Sequence, residues 1–415
     1  MNTEAKNIQV TVENNLCVSC SICKSICPTK CITFEFTHGL YTPVIDSKKC
    51  TQCGLCLSVC PGITADYVGL YGECSYPDDI YFGNYILCAN AFAENEELRN
   101  GGVSGGVVTA IIRYCLGSGL YQKIFAVIDN SYKGQVKSVE INIDELTQSQ
   151  KSRYVPVSVE AVAEYIVHNR DEKIVIVGTS CCIQGLLKMI NRFRLERDNY
   201  LFLGLFCDKN MNYNVIQYFK DNFARVGIKE FYFRYKRKSG WPGDVHIVKQ
   251  DLKEIDIRKQ ERMRVKTVFC LERCLYCIDK LNQFADISLG DNYTNIHMRY
   301  NDSNSVIVRT SRGKAIWDKL LKNKIIEAVE IPTSEIRSSQ LINTRVENMG
   351  FSIIKSNSIG RKINIVKDDS TQLTVDANKW HALIKQLRKG QNYRKYRFIL
   401  KGKRILSYIK RSVFR

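Results

Sequence analysis

Two stretches of this chain share one cysteine spacing, and that spacing narrows what the chain can fold around. One runs Cys17-Val-Ser-Cys20-Ser-Ile-Cys23-Lys-Ser-Ile-Cys27-Pro28, the other Cys50-Thr-Gln-Cys53-Gly-Leu-Cys56-Leu-Ser-Val-Cys60-Pro61. Both read C-x-x-C-x-x-C-x-x-x-C-P, and every cysteine and proline recurs at one offset (50 − 17 = 33; 61 − 28 = 33). A repeat this regular is an internal duplication. Three thiolates spaced by two residues can wrap an iron–sulfur cube from a single loop. The fourth, three residues on, points away and reaches a second cube. The spacing therefore assigns Cys17, Cys20, Cys23 and Cys60 to one 4Fe–4S cluster, and Cys50, Cys53, Cys56 and Cys27 to another. Each closing proline turns the chain away without needing an amide partner.

Zinc usually takes two separated cysteine pairs rather than two complete sets of four. A disulfide framework belongs to short secreted chains. This chain has 415 residues and 18 cysteines, and its start, Met-Asn-Thr-Glu-Ala-Lys-Asn, lacks the apolar core of a secretory signal. No apolar run is long enough to span a membrane, so a reducing cytoplasm is the expected compartment. Residues 10–75 resemble bacterial-type two-cluster ferredoxins, with no departure in the motif.

Beyond the cysteine repeats the texture changes. Lys123–Asp129, Lys173–Gly178 and Tyr200–Phe206 are apolar runs of strand length. Between them, Val159, Val162, Ala163, Ile166 and Val167 share one helix face, as do Ile183, Leu186, Leu187 and Ile190. Apolar strands alternating with amphipathic helices predict an α/β domain whose sheet is covered on both faces. Further strands are expected at Glu230–Lys236, Ala285–Leu289, Ser305–Val308 and Ile325–Ile331, with a helix from Ser311.

Asn100-Gly-Gly-Val-Ser-Gly-Gly-Val-Val-Thr109 is a glycine-rich loop entering an apolar helix. Free amides there can hold an anion, and glycine lets a ligand approach the backbone. A simple tight turn explains the same residues equally well. Of the remaining cysteines, Cys181 and Cys207 end consecutive strand patterns, where α/β sheets place ligands, and Cys274 and Cys277 form a C-x-x-C pair. These four are expected to share one site, a third 4Fe–4S cluster or a zinc, with Cys182 able to replace Cys181 and Cys270 able to replace any one of them. Cys31, Cys74, Cys88 and Cys115 read as small buried apolar residues.

At these residues the chain resembles the beta subunits of coenzyme F420 hydrogenases and dehydrogenases. Gly101-Gly-Val-Ser-Gly-Gly-Val-Val-Thr109 is similar to the family's S-G-G-x-x-T loop, and Lys151-Ser-Arg-Tyr154 to its S-K-Y. Val177-Gly-Thr-Ser-Cys181 resembles G-T-P-C, and Phe233-Arg-Tyr-Lys-Arg-Lys-Ser-Gly-Trp241 its F-R-x-K…G-W. Cys274 and Cys277 followed by Ala285-Asp-Ile-Ser-Leu-Gly-Asp291 resemble C-x-x-C…A-D-I-x-L-G-D. The resemblance implies an oxidoreductase carrying FAD beside a 4Fe–4S cluster, with FAD contacts at Gly102, Ser104, Gly105, Gly106, Thr109, Tyr154, Thr179 and Asp291. The family's C-H-G is here Cys207-Asp-Lys and its G-T-P-C-Q is Gly-Thr-Ser-Cys181-Cys182. These departures leave the hydride partner open: a deazaflavin, a nicotinamide or another donor. Some family members accompany polysaccharide-synthesis genes, which sets one expectation for the pathway.

The expected organisation is mixed α+β and α/β. A two-cluster 4Fe–4S ferredoxin-type module spans residues 1–75, followed by a connector, 76–99, and a larger α/β FAD and iron–sulfur domain, 100–335. A C-terminal extension, 336–415, ends in a basic amphipathic helical tail. The expected function is an iron–sulfur flavoprotein oxidoreductase that couples hydride chemistry at FAD to one-electron transfer through the clusters. Its partner is a redox protein or a small hydride donor or acceptor. The alternative is an electron-transfer subunit without substrate chemistry of its own. The net charge of +19 raises the rival of a nucleic-acid enzyme, but a structural role needs only one cluster, so no specific nucleic acid is expected. From Asn378 to Arg415 there are 13 Lys or Arg and no Asp or Glu, with Trp380, Leu383, Ile384 and Leu387 on one helix face. Such a helix can lie on an anionic membrane or pack on its own domain. Lys236 and Asp291 are candidate proton donors, with a structural role the stronger reading for each.

Overall fold

The computed structural model describes residues 7–72, 75–296, 298–300, 302–346, 362–364 and 377–401. Cys74 and the tail beyond 401 lie outside these residues, as does the Trp380 side chain.

The N-terminal module shows its duplication in the backbone. Short helices at Ile22–Ser25 and Leu55–Ser58 sit 33 residues apart. Left-handed residues recur at the same offset: Ser19 (φ 55°) with Gln52 (φ 53°), and Ser21 (φ 65°) with Gly54 (φ 75°). These reversals curl each cysteine loop inward. The antiparallel hairpin β1 (Ile32–Thr37) and β2 (Leu40–Ile45) separates the two copies. A short strand, β3 (Thr64–Asp66), follows.

The larger domain is built on an eight-stranded mixed sheet. Its strands are β4 (Leu87–Ala93), β5 (Lys123–Ala126), β6 (Val139–Glu140), β7 (Ile174–Thr179), β8 (Tyr200–Leu205), β12 (Ile287–Asp291), β13 (Asn304–Val308) and β14 (Ile326–Glu330). The spatial order is β14-β4-β13-β12-β8-β7-β5-β6. A separate three-stranded sheet comprises β9 (Ile228–Tyr235), β10 (Asp244–Lys249) and β11 (Glu254–Ile257).

One face of the large sheet is covered by the helices Val107–Ser118 and Ser311–Lys322, through Ile111, Ile112, Ile316, Trp317 and Leu320. The other is covered by the helices Glu160–His168 and Ser180–Phe193, onto which the cysteine-rich module packs through Val18, Ile22, Val59 and Tyr67. Both faces are therefore buried over the middle of the sheet, which is why its central strands β7 and β8 are unbroken apolar runs.

The connector expected over 76–99 is corrected. Leu87–Ala93 is an inner strand, β4, antiparallel to both β13 and β14, so the domain begins well before residue 100. Nor does the extension beyond 335 stand apart. Ile336 and Ile342 are buried in the domain, and β15 (Lys362–Asn364) pairs in parallel with β3 of the module. The described tail docks on its own domain. In the helix Ala377–Gln391, Leu387 is buried, and a side chain at Gly390 would come within 2.1 Å of the Val268 carbonyl oxygen. Tyr393 is also buried and donates to Asp221 at 3.0 Å. Among the described residues no helix is long and apolar enough to cross a membrane.

Candidate redox site

The reversals in the first loop bring Cys17, Cys20 and Cys23 around Cys60 from the second. Burial pushes the Cys17 thiol up to about 12, and the neighbouring Cys60 adds to the rise. Burial followed by repulsion from Cys60, Cys17 and Cys20 does the same for Cys20 and Cys23. Thiolates crowded in an apolar interior need a cation to stay charged. Backbone amides already point at the sulfurs, from Ser19 to Cys17 at 3.4 Å and from Gly62 to Cys60 at 3.3 Å. The second set, Cys27, Cys50, Cys53 and Cys56, lines one apolar cavity, and Cys31 lines it too. Cys53 is the exposed member of that set.

Cys181, Cys207, Cys274 and Cys277 also come together. Burial raises the Cys207 thiol, and Cys274, Cys181 and Cys277 add to it. Cys181 opens the helix that follows β7. A hydrogen bond from Cys182 lowers its pKa to about 6, against burial and with help from Thr179 and Arg273. Arg273, 3 % exposed, faces Cys277, Cys181 and Cys274 while donating to the Pro61 carbonyl at 3.0 and 3.3 Å. On the far side Arg345 faces Cys277, Cys207 and Cys274 and pairs with Asp208. Such a cationic surround suits an anionic thiolate centre. No group of three or more His, Cys, Asp or Glu among the described residues is arranged to hold a metal ion. A cube is wider than an ion and asks for sulfurs roughly 7 Å apart.

The first and third sets are neighbours. Cys20 feels the charge of Cys181, and the Val159 amide donates to the Cys20 carbonyl at 2.9 Å. The helix bearing Cys181 lies close because residue 185 is glycine: a side chain there would come within 2.6 Å of Ile22 and 3.3 Å of Pro61. Lys188 from the same helix donates to the carbonyls of Cys60 and Thr64.

Strands β4, β5, β7, β8 and β12 share one direction. Their C-terminal ends deliver the glycine loop, Thr179, Cys207 and Asp291 to one edge of the sheet. Asp291 takes a two-pronged ion pair from Arg234, at 2.6 and 2.9 Å, and accepts from Trp241 and Tyr293. Burial opposes its charge, yet Arg234 holds its carboxyl below the usual range. Arg234 also reaches the Val103 carbonyl and the Tyr154 hydroxyl. Lys236 donates to Asp302 and to the carbonyls of Arg99 and Ser104. With its protons so committed, Lys236 is structural rather than a proton donor, and the ion-paired Asp291 is likewise held ionised. Beside them opens a cleft of about 710 Å³ lined by Glu97, Asn100, Lys236, Arg237, Gly240, Trp241 and Asp302.

In the glycine loop, a side chain at Gly105 would meet the Ala91 carbonyl oxygen at 2.8 Å and Asn304 at 3.0 Å, so this glycine lets the sheet approach closely. Gly106 (φ 76°) ends the turn, and Asn304 accepts from the Val107 amide. A side chain at Gly102 would meet the Gly106 backbone at 3.3 Å. Ser104 is buried and donates to the Ser303 carbonyl, and Thr109 is buried in the helix. Thr179 sits with the cysteines, its hydroxyl 3.5 Å from the Cys181 sulfur. Tyr154 lies against Arg234 and Arg262. Sequence reading missed Cys31, Lys188, Arg234 and Arg273. Arg234 lay within a quoted motif, and the proximity of Arg273 to the C-x-x-C pair was a signal for its role.

Paired ferredoxin loops docked on a mixed α/β domain, with a third cysteine group at their junction, define an iron–sulfur redox protein. Residues 16–62 match the 4Fe-4S dicluster domain. Residues 88–164 and 171–334 match the N-terminal and C-terminal parts of the coenzyme F420 hydrogenase/dehydrogenase beta subunit. The chain belongs to that family and is an oxidoreductase of its type. An uncharacterized protein of Methanocaldococcus jannaschii is 29% identical over 256 residues, 59% of this chain and 87% of that protein. The coenzyme F420 hydrogenase subunit beta of Methanococcus voltae is 25% identical over 265 residues, 60% of this chain and 86% of that one. A chain of the F420-reducing NiFe hydrogenase complex from Methanosarcina barkeri shares the fold, with a TM-score of 0.51 at 18% identity, over 68% of this chain and 93% of its own.

Proposed function

We propose that this protein couples two-electron chemistry at a bound FAD to one-electron transfer through three 4Fe–4S clusters. The observation that carries the reading is the contiguity of the cysteine sets. The outer set reaches the surface at Cys53, the inner set adjoins Cys181, and the third set shares the sheet edge with Asp291 and the cleft. A flavin exchanges electrons in pairs as hydride or singly, and a cube exchanges one.

The cleft residues suit such a group. Arg237 supplies positive charge for a pyrophosphate, and Trp241, 5.2 Å from Tyr293 between ring centroids, offers an aromatic face. Lys151 adds charge from beside Arg237 and Lys236. Arg234 keeps the Asp291 carboxylate and Tyr154 in place next to it. At the other end, exposed Cys53 marks the port for a one-electron partner. Anaerobic purification with iron counting and flavin extraction tests the reading. About twelve irons and one FAD per chain are expected. Near eight irons would remove the third cluster, and a flavin-free chain would leave an electron-transfer subunit.

A peripheral membrane contact rests on one observation. Phe398 and Ile399 are 71 % and 51 % exposed, among Arg394, Lys395, Arg397 and Lys401. Replacing both apolar residues with Ser should weaken binding to anionic vesicles, and unchanged binding would end this reading.

A further inference from the structure

Cys31 belongs to neither copy of the repeat: the position 33 residues on is Thr64. The turn after Cys27, closed by Lys30 donating its amide to the Cys27 carbonyl at 3.2 Å and by a left-handed Lys30 (φ 49°), folds Cys31 back over Cys27. The two sulfurs lie 3.5 Å apart. Cys31 is 4 % exposed and lines the same cavity as Cys27, Cys50, Cys53 and Cys56. The outer cavity therefore holds five thiols where a cube takes four ligands.

We propose that Cys31 is a reserve ligand of the outer cluster, able to take the iron that Cys27 holds. This rests on the assignment of Cys27, Cys50, Cys53 and Cys56 to that cluster. In the exchange the iron–sulfur bond to Cys27 breaks and one to Cys31 forms. The Cys31 thiol proton passes to the departing Cys27 thiolate, its hydrogen-bonding neighbour. Net charge and iron oxidation state are unchanged, so no oxidant or reductant is needed. The inner cluster lacks this arrangement, because Thr64 stands where its reserve would be. The duplication thus supplies an internal control.

The test uses the full chain, reconstituted anaerobically, with iron counting and electron paramagnetic resonance of the reduced protein. Cys27→Ala and Cys31→Ala should each keep both module clusters. Cys27→Ala/Cys31→Ala should lose the outer signal and about four irons, and Cys60→Ala alone should lose the inner one. Loss of the outer cluster in Cys27→Ala alone, or its survival in the double variant, would overturn the proposal. Should Cys27→Ala fail to accumulate, the non-ligating Cys27→Val carries the same comparison. A wild-type chain without two interacting module clusters would instead overturn the cluster assignment beneath it.

Discussion

Arg273 is the cation between two of the cysteine sets, and its removal should be read as a voltage. The side chain is 3 % exposed, faces three cysteines of the third set, and holds the carbonyl that follows Cys60. A unit charge roughly 6 Å from a cluster, at an effective dielectric of about 20, contributes about 3 kcal/mol to adding one electron. With tenfold in an equilibrium constant worth about 59 mV for one electron, that is on the order of 100 mV. Arg273→Met should therefore lower the midpoint potential of the proposed third cluster, and of the inner cluster by less, since losing a cation disfavours reduction. Arg273→Lys should recover most of the shift. Titration followed by electron paramagnetic resonance measures this directly in protein of unchanged iron content. A shift below about 30 mV in Arg273→Met would refute the argument and leave Arg273 a purely structural clamp.

Three further outcomes are expected. Gly185→Val forces a branched side chain against Ile22 and Pro61; it should cost about 1–3 kcal/mol by overpacking and slow electron passage between module and domain, and an unchanged melting temperature would contradict the interface. Arg234→Met leaves Asp291 buried without its cation and should cost about 3 kcal/mol, the low end for a broken buried pair, because Trp241 and Tyr293 still donate; since the Asp291 pKa is depressed, that contribution is present above the ordinary carboxylate range and fades as pH falls through the folded value, which acid titration of both proteins would show. Burial, aided by Arg237 and Lys236, lowers Lys151 to about 8, so affinity for the proposed FAD should drop as pH rises through that value, and Lys151→Met should flatten the step in a binding titration.

The cysteine loops were legible because ligand spacing is a local property: a cube of fixed size demands the same offsets in any fold. The strands β7 and β8 were legible for a similar reason, being unbroken apolar runs. Strand β4 was not. Its sequence, Leu-Cys-Ala-Asn-Ala-Phe-Ala, is rich in alanine around a polar Asn90, which is satisfied by the distant Thr294, Ile296 and Ser305. The glycine loop shows a second limit. Glycine is required wherever a backbone is approached closely, and Ala91 from the sheet and a ligand phosphate would leave the same letter at Gly105. Cys31 looked like an ordinary small apolar residue because its meaning lies in a turn that folds it onto Cys27. Arg273 and Lys188 act across more than a hundred residues of chain, a separation no local pattern encodes.

The pairing of β15 with β3 bears on how the protein is made. Residues 64–66 leave the ribosome long before residues 362–364, yet the two segments form one sheet. The module's cysteine loops are thus synthesised first, while the strand beside β3 and the lysine and arginine that grip Cys60 and Pro61 arrive later. Domains that emerge first ordinarily close first, but here an earlier-made part is completed by a segment made about 300 residues later. Cluster loading and chain completion become linked events: a nascent or truncated chain carries the ligands of both module clusters without the surfaces that lock them in place.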